Sequence, residues 1–266
     1  MATDLFNHLL AKKATLNDFS LPNAPSSAVP APLTIDIVSD VVCPWCYIGK
    51  RKLEAALALP QTADLPPVQI RWHPFQLNPT LPETGMPRKQ YLEEKFGGPA
   101  RAAEIYARVH AAGVAVGLDL NFDAIKQQAN TLAAHALIAF AQENIDNGPE
   151  NGVGNQIKER LMKAYFVEGR FIGNMDVLAQ IATEAGLDGD AARAYVMDPA
   201  HRASVAQADT QARQMGVSGV PFFVFNGQVA VSGAQDPQTL LAAMQQACKS
   251  PTRQSLVGLF QTARAG

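Results

Sequence analysis

The stretch that decides the fold is SDVVCPWCYIGKRKL, residues 39–53, in which Pro44 and Trp45 separate two cysteines. Apolar and polar residues alternate over residues 33–40, and this period of two predicts a β-strand. Beyond Cys43 the apolar residues recur at helical spacing, so a helix should follow. The two cysteines therefore lie where a predicted strand gives way to a predicted helix.

The first cysteine of this stretch is placed to act as a nucleophile. At the N-terminal end of a helix, Cys43 would face unpaired backbone N–H groups and the positive end of the helix dipole. Both favour the thiolate, so the pKa of the Cys43 thiol should be lowered. Cys46 lies three residues further on, on the same helix face, and Pro44 suits the first helical position. We predict an exposed nucleophile, Cys43, and a more buried resolving thiol, Cys46.

The paired cysteines could also bind a metal ion or simply fill space in the core. A structural zinc site takes four ligands, usually supplied as paired sets of short spacing. The third cysteine, Cys248, stands alone, and the five histidines form no HxxxH pair, so we predict no metal site. Two inert, packed cysteines are the second alternative, because free cysteine is often buried. Redox chemistry is favoured over both.

Length, charge and hydropathy narrow the class of protein. The 266 residues allow a sizeable core without disulfides, and 47% of them are hydrophobic, as in ordinary soluble proteins. With 22 basic and 24 acidic residues the net charge is −2, which disfavours a nucleic-acid partner. No stretch approaches the roughly 20 apolar residues that span a bilayer, and the N-terminal residues lack the order of a signal peptide. We predict a cytoplasmic protein without a nucleic-acid or membrane partner.

The pattern of apolar residues divides the chain into five parts. Residues 1–31 are predicted to form an N-terminal extension that ends in a linker rich in proline and serine, and residues 250–266 a C-terminal extension. Residues 32–84 and 216–249 carry the predicted strands, and residues 85–215 form a helical block between them. Strands from both ends of the chain would pair into one sheet, which predicts an α/β fold.

Several elements can be placed within these parts. A second strand is predicted over residues 68–77, ended by Pro74, and a hairpin over residues 220–233 that turns at Asn226-Gly227. A last helix covers residues 236–249. The predicted helices of the central block cover residues 100–112, 123–145, 155–166, 174–185 and 200–215, with Asn174 or Asp176, and Asp188, as start signals.

Five segments of the sequence resemble the DsbA-like thioredoxin-fold oxidoreductases of the FrnE group. They are CPWCYIGKRKLEAAL, WHPFQLNPTLPETG, NTLAAHALIAFA, LMKAYFVEGRFIGNMDVLAQIATEAGL and GVSGVPFFVFNGQVAVSGAQ. The resemblance covers about residues 33–247 and implies a thioredoxin fold with a large all-helical insertion. It also implies that Cys43 is the nucleophile, that Cys46 resolves, and that a cis proline, Pro221, lies opposite them.

The resemblance and the local sequence suggest residues that bind substrate. In a cis Val220–Pro221 unit, the Val220 backbone would pair with an extended substrate segment, as in strand addition. Trp45 either shapes the reactive surface or packs as an ordinary aromatic residue. His73 either contributes to the site or is a polar residue at a strand end. Asn130 either lines the substrate cleft or caps a helix.

Three further residues are interpreted with the same alternatives in view. Thr131 and His135 follow Asn130 in the resembling segment, and they are either part of the cleft or a helix start with a partly buried histidine. Cys248 lies eight residues after Leu240, on the same predicted helical stripe. We therefore predict that Cys248 is a small buried apolar residue.

The function predicted from these observations is thiol–disulfide oxidoreductase. A CPWC dithiol would oxidise, reduce or isomerise disulfides of protein substrates, with no cofactor beyond its own disulfide and with glutathione as an optional thiol co-substrate. One alternative is a glutathione-dependent enzyme related to 2-hydroxychromene-2-carboxylate isomerase and kappa-class glutathione transferase. Another is a non-catalytic, chaperone-like binding module.

Overall fold

The computed structural model describes residues 31–143 and 152–249. The two predicted terminal extensions, apart from residue 31, lie outside these residues, and so does the end of the predicted helix 123–145. The strands of the described part are β1 Leu33–Ser39, β2 Val68–Pro74, β3 Met86–Pro87, β4 Gln127–Gln128, β5 Phe222–Phe225 and β6 Val229–Ser232.

Four strands form one mixed sheet in the order β2–β1–β5–β6. β1 and β2 run parallel with Ile37 opposite Trp72, and β5 runs antiparallel to β1 with Phe223 opposite Ile37. All but one of the residues of the central strand β1 are buried, as expected for a strand that is covered on both faces. The prediction that strands from both ends of the chain share one sheet is confirmed.

Helices surround this sheet, and most of them lie between β2 and β5 in the chain. α1 and α9 contact each other, α9 also contacts β5 and β6, and both α5 and α8 contact β2. The side chains of Asn174 and Asp188 accept hydrogen bonds from the first backbone N–H groups of α6 and α7, as predicted. The helices of the described residues are α1 Pro44–Leu57, α2 Arg88–Phe96, α3 Pro99–Val114, α4 Leu132–Glu143, α5 Val153–Phe166, α6 Met175–Glu184, α7 Gly189–Met197, α8 Pro199–Gln214 and α9 Pro237–Lys249.

The hairpin between β5 and β6 turns at Asn226 and Gly227, as predicted. Both residues have positive φ angles, 48° and 63°, which the two-residue turn requires. The Asn226 side chain also accepts a hydrogen bond from the Thr34 backbone N–H at 2.9 Å and donates one to the Ala247 carbonyl at 3.3 Å. The turn residue thus attaches the hairpin to β1 and to α9.

The prediction of one helix over residues 123–145 is wrong in its first third. A 3₁₀ turn and strand β4 precede α4, and β4 pairs with β3, so the helical block also contains a short two-stranded ladder. The helix begins later because the Asn130 side chain accepts a hydrogen bond from the Leu132 backbone N–H at 2.9 Å. Gln128 is held in the ladder, where its side chain accepts a hydrogen bond from the Tyr165 hydroxyl at 2.9 Å.

The prediction that Cys248 is buried is also wrong. Its side chain is exposed, whereas Leu240, Met244 and Ala247 of α9 are buried. At 3.6 residues per turn, eight residues rotate the helix by about 80° beyond two full turns. Cys248 therefore lies past the edge of the buried stripe.

Ion pairs and a hydrogen bond connect α5 of the helical block to α1. The Glu159 carboxylate on α5 lies 2.8 Å from the Lys50 amine of α1, pairs with the Arg51 guanidinium, and accepts a hydrogen bond from the Tyr47 hydroxyl at 2.7 Å. Lys50 and Tyr47 are buried. Because Cys46 lies in the first turn of α1 and Cys43 directly precedes this helix, these contacts also hold α5 near both cysteines.

Candidate active site

The two cysteines lie at the start of α1. Cys43 occupies the N-cap position with an extended backbone, Pro44 is the first helical residue, and the Cys46 backbone N–H donates to the Cys43 carbonyl at 3.0 Å. Both thiols are free. The prediction that the cysteines lie at a strand-to-helix junction is confirmed, and the first helical turn places the two sulfurs side by side.

The prediction that Cys43 is exposed is wrong. Its exposed fraction is 5% and that of Cys46 is 1%. The Cys43 thiol is covered because it donates to the Val220 carbonyl at 3.7 Å, where the Val220–Pro221 loop lies across the start of α1. The Val220–Pro221 peptide bond is cis. Cys43 is nevertheless the less buried member of the pair.

In the reduced pair, the neighbouring thiol and burial act against the lowering of the Cys43 pKa that the sequence predicts. The hydrogen bond with Cys46, burial and the negative charge of Asp40 raise the pKa of Cys43 well above the ordinary thiol value. Burial also opposes ionisation of Cys46, but the hydrogen bond from Cys43 and the positive charge of Lys158 outweigh it, so the pKa of Cys46 is lowered. The two thiols therefore interact strongly and titrate as one coupled pair.

Two buried charged residues that the sequence analysis did not single out, Asp40 and Lys158, act electrostatically on the dithiol. The Asp40 carboxylate is fully buried, accepts a hydrogen bond from the Leu77 backbone N–H at 2.8 Å, and lies 3.3 Å from Nε2 of His135. Lys158 of α5 is fully buried as well. Only Asp40 could have been found from the sequence, because it lies three residues before Cys43. A lysine within a helical pattern gives no indication that it lies near the cysteines.

His73 and Asn130 both make well-defined contacts. The Nε2 atom of His73 lies 2.8 Å from the carboxylate of Asp36 on the adjacent strand. Asn130 donates to the Leu81 carbonyl at 2.7 Å, and its side-chain oxygen accepts from Leu132 at the start of α4. Asn130 thus connects α4 to the segment around Leu81. A role of His73 or Asn130 in binding substrate stays a prediction.

A groove of about 320 Å³ lies beside the segment from Leu77 to Leu81. Leu77 connects this groove to the dithiol through its hydrogen bond to Asp40. Tyr91 also lines the groove, and its pKa is raised chiefly by burial. The residues that line the groove are Leu77, Asn78, Pro79, Thr80, Leu81, Tyr91, Glu94 and Lys95.

Apolar side chains border the dithiol on the surface. Trp45, between the two cysteines, is 42% exposed, and Leu77 of the groove is 38% exposed. Large apolar side chains at this exposure are available to contact another molecule. Within residues 31–143 and 152–249, no cluster of His, Cys, Asp and Glu is arranged to hold a metal ion. The helices of the same residues include none that is long and apolar enough to cross a membrane.

The close approach of α1 to the Pro221 loop leads to a prediction about stability. A Cβ atom at Gly49 would lie 2.8 Å from Cγ of Pro221 and 3.4 Å from Cζ of Phe223. We expect Gly49→Ala to lower the free energy of unfolding by about 1–2 kcal/mol, because overpacking outweighs the gain in helix propensity. Urea unfolding measures this change. Gly219→Ala is the matched control, since a Cβ atom there meets nothing within 4 Å. Equal stability of the two variants would contradict the prediction.

The sheet order, the helical block and the dithiol at the start of α1 define a DsbA-like thioredoxin fold. Residues 34–245 match the DSBA-like thioredoxin domain family. Since the match spans most of the chain, this protein belongs to that family. Membership of the FrnE group in particular stays a prediction.

Comparison with individual proteins agrees with this assignment. The chain is similar to the crystal structure of the probable DsbA oxidoreductase SCO1869 from Streptomyces coelicolor, with 30% identity, a TM-score of 0.71, and coverage of 84% of this chain and 93% of that one. It is 26% identical to the uncharacterized protein YwbO of Bacillus subtilis strain 168, covering 75% of this chain and 90% of that protein. The cytosolic disulfide reductase DsbM from Pseudomonas aeruginosa, solved with GSH, shares the fold, with 20% identity, a TM-score of 0.52, and coverage of 80% and 95%.

Proposed function

We propose that this protein is a thiol–disulfide oxidoreductase that acts on protein substrates. The observation that carries the proposal is the pair of adjacent thiols at a helix start, with Cys43 donating to Val220 at 3.7 Å and Cys46 fully covered. Because Cys43 is the less buried sulfur, substrate reacts there. Cys46 then acts as the resolving thiol.

The exchange reaction runs through Cys43, the less buried of the two cysteines. In the oxidising direction, a substrate thiolate attacks the Cys43 sulfur of the Cys43–Cys46 disulfide, a mixed disulfide forms, and Cys46 leaves as a thiolate. A second substrate thiol then loses its proton to solvent and attacks the substrate sulfur of the mixed disulfide. Cys43 leaves as a thiolate and takes up one proton. The substrate loses two electrons and two protons, and the protein disulfide gains the two electrons. The reducing direction is the reverse of these steps.

The surface beside the dithiol supports the proposal that the substrate is a polypeptide. Trp45 and Leu77 are exposed apolar residues beside the dithiol, and the groove along residues 77–81 extends from Leu77. An extended segment bound there would bring a cysteine to Cys43. DsbM is described as cytosolic, which supports the proposal that this protein also acts in the reducing cytoplasm.

A second candidate function is a reaction of glutathione, either as the reductant of a disulfide or in a small-molecule isomerase or transferase. The groove favours this candidate, because its volume of about 320 Å³ suits a small peptide and Lys95 offers a cation for a carboxylate. DsbM was solved with GSH. The presence of Cys46 weighs against a pure isomerase or transferase, which needs one hydroxyl or thiol at the position of Cys43.

Covalent trapping separates the two candidates. In a Cys46→Ser variant the mixed disulfide on Cys43 has no resolving thiol, so we expect it to accumulate with many proteins in a cell lysate. Mass spectrometry of the material released by a reductant identifies what was bound. Release of glutathione alone would support the second candidate. The Cys43→Ser/Cys46→Ser variant is the control, and adducts on it would have to come from Cys248.

A further inference from the structure

Helix α8 holds the chain segment that follows β2 at Gln76. The Gln76 backbone N–H donates to Oδ1 of Asp209 at 2.8 Å, and the Gln76 carbonyl accepts a hydrogen bond from Nη2 of Arg213. The same Nη2 atom lies 3.2 Å from Oδ1 of Asp209, and Nε of Arg213 donates to Oδ2 at 3.0 Å. Gln76 and Asp209 are buried. Both backbone groups of Gln76 are therefore bonded to one ion pair of α8.

The end of α8 also packs against the Val220–Pro221 loop. The guanidinium of Arg213 lies 4.0 Å from the centre of the Phe75 ring. Phe75 belongs to a small buried cluster that joins α8 to β1 and to the loop. The cluster consists of Val38, Phe75, Ala212 and Val217, and Val220 packs against it. α8 therefore contacts both the segment that leads to the groove and the loop that carries Val220.

These two segments meet at Cys43. Leu77, which directly follows Gln76, lines the groove, and its backbone N–H donates to the Asp40 carboxylate at 2.8 Å. The backbone carbonyl of Asp40 accepts a hydrogen bond from the Cys43 N–H at 3.4 Å. The carbonyl of Val220 accepts from the Cys43 thiol at 3.7 Å. Cys43 is thus connected to both segments, and α8 determines how they are spaced.

We infer that Asp209 and Arg213 are positioning residues for polypeptide substrates, because they fix the groove segment relative to the Val220–Pro221 loop. This inference rests on the proposed function and deepens it. An extended substrate must contact the groove and the loop together while its disulfide reaches Cys43. If the groove segment were not fixed beforehand, binding would have to order it, and affinity would fall. A small disulfide that contacts Cys43 alone does not need the groove segment.

The test compares two disulfides as substrates of the reduced protein in a single turnover. One is a disulfide-bonded peptide of about ten residues, and the other is 2-hydroxyethyl disulfide, which is too small to extend along the groove. We expect Arg213→Met to raise the half-saturating concentration of the peptide by about tenfold and to change the rate with 2-hydroxyethyl disulfide by less than about twofold. A folded variant whose half-saturating peptide concentration stays within twofold of the wild type would overturn the inference. Equal losses with both disulfides would overturn it as well.

Two further variants separate positioning from a general loss of structure. In Arg213→Lys the ammonium can still donate to Asp209 and to the Gln76 carbonyl, so the half-saturating peptide concentration should return to within about threefold of the wild type. Arg193→Ala is the matched control, because Arg193 of α7 pairs with Asp176 and its side chain is 35% exposed, against 40% for Arg213. It should leave both rates within about twofold of the wild type. An Arg213→Lys variant as impaired as Arg213→Met would contradict the role of the shared donor.

One measurement needs no change in α8. When the peptide is trapped on Cys43 of the Cys46→Ser variant, amide hydrogen exchange should slow in residues 76–81 and in residues 217–220 together. Slowing in only one of these segments would overturn the inference. A wild-type protein that reacts with neither disulfide would instead contradict the proposed function. Reaction with 2-hydroxyethyl disulfide, combined with a peptide rate that never saturates, would leave the dithiol chemistry intact and overturn the positioning role.

Discussion

A Cys43→Ser variant should lose thiol–disulfide exchange by at least about a thousandfold. The mixed disulfide forms on Cys43, and a serine hydroxyl at that position can neither form a disulfide with Cys46 nor capture a substrate sulfur. Cys46 cannot replace it, because only 1% of Cys46 is exposed. The rate of oxidation or reduction of a dithiol peptide, followed at fixed pH and glutathione ratio, measures the loss.

The third cysteine provides the control for this experiment. Cys248 is exposed and lies on α9, outside the site, and partial burial raises the pKa of its thiol above the ordinary value. Cys248→Ser should therefore keep the wild-type rate. If Cys43→Ser retained a tenth of the activity, and Cys248→Ser removed that remainder, the nucleophile would have been assigned to the wrong residue.

The second large effect is expected on stability. Asp40→Ala should lower the free energy of unfolding by about 3–5 kcal/mol, because it breaks a buried pair. The side chains of Asp40 and His135 are 0% and 3% exposed and lie 3.3 Å apart. The Leu77 backbone N–H, which donates to Asp40 at 2.8 Å, would lose its acceptor as well. Urea unfolding measures the difference, provided that the m-value, the dependence of the free energy of unfolding on urea concentration, is the same in both proteins.

The Asp40→Asn variant separates the loss of the negative charge from the loss of the hydrogen bond with Leu77. The amide oxygen can still accept from Leu77, whereas the negative charge beside His135 and Lys158 is removed. We expect a smaller loss of stability than in Asp40→Ala. A loss below about 1 kcal/mol in Asp40→Ala would contradict the view that Asp40 holds the groove segment to the start of α1.

Much of the fold could be predicted from local sequence patterns. Alternation over residues 33–40 predicted β1, and the Asn226-Gly227 turn predicted the hairpin, because both depend on the chain within a few residues. The start of α6 could be predicted in the same way from Asn174, whose side chain caps its own helix. For α4 the sequence offered both the helical pattern from residue 123 and the Asn130 cap, and the pairing of Gln128 with Met86 of β3, 42 residues earlier, excluded the longer helix.

The candidate active site, like the fold, could be predicted from the sequence only where it depends on neighbouring residues. By itself the sequence determined that Cys43 and Cys46 share one turn at the start of a helix, since that geometry depends on a spacing of three residues. The tertiary structure alone decided that the Cys43 thiol contacts the Val220 carbonyl, and that the charges of Lys158 and Asp40 act on the thiols. Burial and charge depend on side chains that meet only after α5 and the Pro221 loop have packed against α1. For that reason the location of the dithiol could be predicted from the sequence, whereas the burial of Cys43 could not.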